Sequence, residues 1–77
     1  MTSNQFVYAS RPGMRKSDMA QAYFPNVTPS TARRNLLRWI AMNPELQERL
    51  QKTGYQKEQR YFTPVQVSIL YEILGEP

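Results

Sequence analysis

Three times in this chain a short polar residue stands directly before proline, at Thr28-Pro29, Asn43-Pro44 and Thr63-Pro64. Each pair has the chemistry of a helix start. The side-chain oxygen accepts a backbone N–H that the first helical turn leaves without a partner. Proline supplies a preset φ and gives up an N–H that had no acceptor. Gly54 and Gly75 then stand after LQERLQKT and VQVSILYEIL, where a residue just past a helix end takes up positive φ. The spacing therefore predicts helices over 29–42, 44–53 and 64–74. Ser17 and Asp18 open a shorter helix that ends before Pro25. The stretch FVYAS has the length of one short strand, and Tyr61-Phe62 can lie beside it, with Arg11-Pro12-Gly13 marking a turn.

These signals describe one domain over residues 1–77: an amino-terminal arm or short strand at 1–16, a helix-turn-helix-like unit at 17–42, and two supporting helices at 43–77. The expected fold is mainly α, a small four-helix domain to which a two-stranded β element can be added. A hydrophobic fraction of 40% supplies one small core. The chain has no cysteine and no histidine, which excludes a disulfide frame, a Cys/His zinc site and a Ser-His-Asp or Cys-His nucleophile. Its carboxylates show no spacing that pairs two of them in a pocket, so the expectation is no enzyme, no cofactor and no metal. No segment reaches the ~18 apolar residues of a membrane span, and the first residues lack the pattern of a secretory signal. The expected location is cytoplasmic.

The net charge of +4 is unevenly placed. Arg11, Arg15, Lys16, Arg33, Arg34 and Arg38 face only Asp18 in the first 43 residues, whereas the remainder is slightly acidic. Such asymmetry favours an anionic partner, with nucleic acid the commonest. On a helical wheel, residues 29–42 gather Ala32, Leu36, Leu37, Trp39 and Ile40 into one arc, which predicts the buried face with Trp39 as a core anchor. The opposite arc carries Ser30, Thr31, Arg34, Asn35 and Arg38. These residue types bond phosphates and base edges, and they are the expected nucleic-acid contacts, Arg38 nearest the phosphates. Any exposed helix face is polar, so plain solvation is the competing reading. Arg33 falls at the boundary of the apolar arc, where a carboxylate partner is expected. Tyr23, Phe24 and Val27 are expected to pack on Trp39, and Asn26 to supply a positive φ in the turn after Pro25.

Between the third and fourth helices, Lys57, Arg60 and Tyr61 can form a wing that grips phosphate, or a solvated connector with Tyr55 and Phe62 tucked inward. The last helix is apolar on two sides. Val67, Leu70, Tyr71 and Leu74 cover one, and Val65, Ile69 and Ile73 cover the other, leaving mainly Ser68 and Glu72 polar. The second side makes a homodimer interface through residues 64–74 an expectation, unless the amino-terminal strand covers it.

The run YFPNVTPSTARRNLLRWI, followed by NPEL, TGY, FTPVQV and LGEP, resembles a family of short uncharacterised proteins of Bacteroides-type gut bacteria, a domain of unknown function. The resemblance spans about residues 17–77 and brings no activity or binding residue with it. More loosely, Ala20 to Ile40 is similar to helix-turn-helix regulators, although Phe24-Pro25-Asn26-Val27 replaces their glycine turn. Two functions follow as expectations. One is a small DNA-binding protein of helix-turn-helix type, regulatory or mobile-element associated. The alternative is a protein-interaction or assembly module that binds no nucleic acid.

Overall fold

The Thr63 hydroxyl accepts the backbone N–H of Gln66 at 3.3 Å, and the Gln66 side chain reaches back to accept the N–H of Thr63 at 3.0 Å. This reciprocal capping box opens the last helix in the computed structural model, which describes residues 12–77. In chain order the elements are β1 (Met14–Arg15), α1 (Lys16–Tyr23), α2 (Pro29–Ala41), α3 (Pro44–Gln51), β2 (Tyr61–Phe62) and α4 (Pro64–Leu74). Thr28 caps α2 by accepting from the N–H of Thr31, and Asn43 caps α3 by accepting from that of Leu46. All three polar-residue–proline pairs are thus helix starts.

Helix ends depart from expectation in small ways with local causes. α1 begins at Lys16 and has no side-chain cap. Its first N–H donates instead to the carbonyl of Arg60, just before β2, at 2.8 Å, so the helix starts one residue ahead of Ser17. α3 stops at Gln51 because Thr53 N–H and hydroxyl both turn back on the Leu50 carbonyl, at 3.0 and 2.6 Å. Gly54 follows with φ 85°. Among the described residues every positive φ belongs to glycine, so Asn26 does not adopt one. The Gln21 side-chain amide closes that turn, donating to the carbonyls of Phe24 and Val27 at 3.0 and 3.1 Å.

β1 and β2 pair antiparallel, Met14 opposite Phe62 and Arg15 opposite Tyr61. A β element is therefore present, but Tyr61-Phe62 takes Met14-Arg15 as its partner; FVYAS lies outside the described residues. Gly13 sits so close to β2 that a Cβ there would stand 2.7 Å from the Phe62 carbonyl oxygen and 2.6 Å from the Tyr61 ring. Only glycine fits that approach.

α1 packs on α2, α2 on α3, and α3 on α4. The core gathers Met19 and Ala20 of α1, Ala32, Leu36 and Ile40 of α2, Leu46 and Leu50 of α3, Phe62, and Val67, Ile69 and Leu70 of α4. Trp39 is not in this core. It remains 39% exposed, with Phe24 and Tyr23 against it at ring-centroid distances of 4.5 and 5.6 Å. The expected core anchor is thus a partly exposed ring that packs on the end of α1 and the residue after it. α4 is buried over five consecutive residues, Gln66 to Leu70, so Ser68 lies inside and its hydroxyl has no partner among the described residues.

Candidate nucleic-acid interface

The buried Lys16 organises one side of the domain. Its ammonium donates to the Lys57 carbonyl at 2.8 Å and lies over the rings of Tyr55 and Phe62, 4.8 and 5.7 Å from their centroids. Those two rings stack at 5.8 Å. Burial lowers the pKa of Lys16 below its ordinary value, Glu58 raises it, and the Arg33 charge lowers it further.

The segment after α3 is held from its other end by side-chain amides. Gln66 donates to the Thr53 hydroxyl at 2.8 Å and accepts from Gln59 at 2.8 Å, while Gln59 donates to the Tyr61 carbonyl at 2.7 Å and accepts from Gln56 N–H at 2.9 Å. These bonds tie the segment to α4 and β2, so that it forms a wall beside them.

Between that wall, β1 and α2 opens a basin of about 760 Å³. Arg15 and Lys16 line it from the start of the domain, Arg33 and Leu37 from α2, and Lys57, Glu58 and Arg60 from the loop. Five cationic side chains from three parts of the chain thus meet a single carboxylate. Bringing like charges together costs energy unless an anion or solvent screens them, so the basin is suited to phosphate groups.

The residues expected to contact nucleic acid occupy the neighbouring surface of α2. Ser30, Arg34 and Arg38 are exposed, and Asn35 is half-buried. Thr31 is half-buried and already accepts a hydrogen bond from the Thr28 hydroxyl at 2.9 Å. Arg33 has no carboxylate within salt-bridge distance among the described residues, contrary to expectation, because it stands on the basin wall with Glu58 as the only acidic lining residue. Lys57, Arg60 and Tyr61 line the basin, while Tyr55 packs against the core and Phe62 is buried in it. Arg15 and Lys16 are not among the expected contacts. Their place follows from the β1–β2 pairing, for which two residues per strand leave almost no periodic signal.

On α4, Val65 is 47% exposed and Ile73 is half-buried, but Ile69 is only 5% exposed and belongs to the protomer's own core. Arg49 of α3 meets Glu72 of α4 at 3.0 Å. No described helix is long and apolar enough to cross a membrane.

A family model described as Domain of unknown function (DUF4248) matches residues 13–77. The chain belongs to this family. The matched region opens at Gly13, the residue against β2, and takes in every described element from β1 to α4. No curated protein and no solved structure matches the chain.

Proposed function

We propose that this domain binds nucleic acid through its phosphate backbone, with duplex DNA lying across α2 and the adjoining basin. The α1–α2 pair acts as a helix-turn-helix in which Ser30, Arg34, Asn35 and Arg38 address the groove. Arg15, Arg33, Lys57 and Arg60 hold the flanking phosphates. The observation that carries this reading is the position of Arg33: it joins the α2 surface to a basin whose other cations come from β1, the start of α1 and the loop before β2. Thr31 serves the cap of α2 more than the ligand. A regulatory or mobile-element role follows from DNA binding of this kind.

A homodimer formed through residues 64–74 would rest on Val65 and Ile73, since Ile69 is occupied within the protomer. The interaction-module reading draws on α4 and the aromatic residues, of which Trp39 and Tyr61 are 39% and 54% exposed.

Fluorescence anisotropy of a labelled mixed-sequence duplex at low salt tests the proposal. The wild-type chain is expected to bind, and Arg33→Ala/Arg60→Ala to bind at least about tenfold more weakly, at ~1 kcal/mol or more per lost contact. Absence of wild-type binding at high micromolar protein overturns the reading.

A further inference from the structure

Tyr61 stands on the basin wall and is 54% exposed, an aromatic ring open to solvent among cations. Its position is set by the backbone around it. Arg15 is its cross-strand partner, so the two side chains leave the β1–β2 pair on the same face. The ring lies against Gly13, where a Cβ would come within 2.6 Å of a ring carbon, and the Tyr61 carbonyl accepts the Gln59 amide at 2.7 Å. Arg15, Arg33, Lys57 and Arg60 around the basin are all exposed, and Lys16, 4% exposed, adds a fifth charge to the same lining. None of the five has a carboxylate within ion-pair distance among the described residues.

Phosphates within a strand carry one negative charge each and are spread along the backbone. A terminal phosphate monoester concentrates about 1.5–2 charges on three free oxygens. Cations that converge on a hollow from three parts of the chain match the second better, because more charge is met within the same reach and a chain end can enter where a continuous backbone passes over. The exposed ring beside them matches the other property of a chain end: the last base has no neighbour on its outer face and is free to stack on an aromatic side chain. We propose that the basin seats the terminal phosphate of a nucleic-acid strand, held by Arg15, Arg33, Lys57 and Arg60, with the Tyr61 ring against the last base. This rests on the proposed phosphate-binding role of the basin and names which phosphate it takes.

The test is an anisotropy titration of one internally labelled duplex prepared with hydroxyl ends, with 5′-phosphates or with 3′-phosphates, at a single salt concentration. The wild type is expected to bind one of the phosphorylated duplexes about fivefold or more tighter than the hydroxyl-ended one. Arg33→Ala/Arg60→Ala should lose that preference, whereas Arg34→Ala/Arg38→Ala, outside the basin, should keep it at lower overall affinity. Tyr61→Leu should weaken binding of the preferred duplex about fivefold. Thermal melts establish that each variant is folded, and the exposed arginine pair tests the seat independently of Tyr61. Equal wild-type binding of all three duplexes, or a preference that survives the loss of Arg33 and Arg60, overturns the terminal seat while leaving backbone contact in place. A folded Tyr61→Leu that binds as the wild type does overturns the contact with the last base. Failure of the wild type to bind any of the duplexes overturns both this inference and the phosphate reading.

Discussion

Lys16 and Tyr23 place opposite demands on stability at alkaline pH. The folded-state pKa of Lys16 is lowered by desolvation, so folding becomes more favourable as pH rises from that value towards 10.5, where the unfolded chain also loses its proton. Tyr23 is pushed up to about 12, first by burial and then by the charges of Tyr71 and Glu76, and its hydroxyl donates to the Gly75 carbonyl. Its stabilising contribution is complete below the unfolded-state value of 10.0 and is lost as pH rises through about 12. Urea unfolding across the alkaline range should therefore show Lys16→Met without the rise below pH 10.5, and Tyr23→Phe with a shallower decline above pH 10. At neutral pH, Tyr23→Phe should cost about 0.5–1 kcal/mol, one hydrogen bond. A wild-type decline that Tyr23→Phe leaves unchanged would contradict the assignment. Neither role is readable along the chain: Lys16 looks like one more surface cation, and its carbonyl and ring partners all come from the segment 55–62.

At the scale of elements, helix starts were legible because their chemistry is local. The Thr63 cap, its proline and Gln66 lie within four consecutive positions, and the same holds at Thr28 and Asn43. The far ends were less legible, since whether α3 runs to Thr53 depends on where the Thr53 hydroxyl finds an acceptor. Gln66 goes beyond capping. It is 2% exposed and its amide joins α4 to Thr53 and Gln59, so it holds both the helix start and the basin wall. Thr63→Ala should cost about 1 kcal/mol, the usual value of a lost cap. Gln66→Leu should cost more, about 2–3 kcal/mol, because it strands several polar groups at once. Urea denaturation midpoints check the order, and a Gln66→Leu variant as stable as Thr63→Ala would show that the amide network does not hold the wall.

Across the whole molecule, the helical wheel placed Ser30, Arg34 and Arg38 correctly on the exposed face of α2, but it put Thr31 and Asn35, which are half-buried, on that face and Trp39, which is 39% exposed, on the buried one. It could not identify the basin, which exists only because β1 returns beside β2 and sets Arg15 and Lys16 against Arg60. It also overestimated the free face of α4, where Ile69 and Ser68 are enclosed by the same protomer. Among the described residues, charge from distant segments thus converges on the basin, and α2 forms its edge. The most direct test of that surface is the salt dependence of duplex binding for the wild type, Arg34→Ala/Arg38→Ala and Arg33→Ala/Arg60→Ala. Phosphate contact by both groups predicts a steep fall in wild-type affinity with salt and a log-log slope shallower by about two in each double variant. A wild-type slope near zero, or a slope untouched by loss of Arg33 and Arg60, would contradict the account.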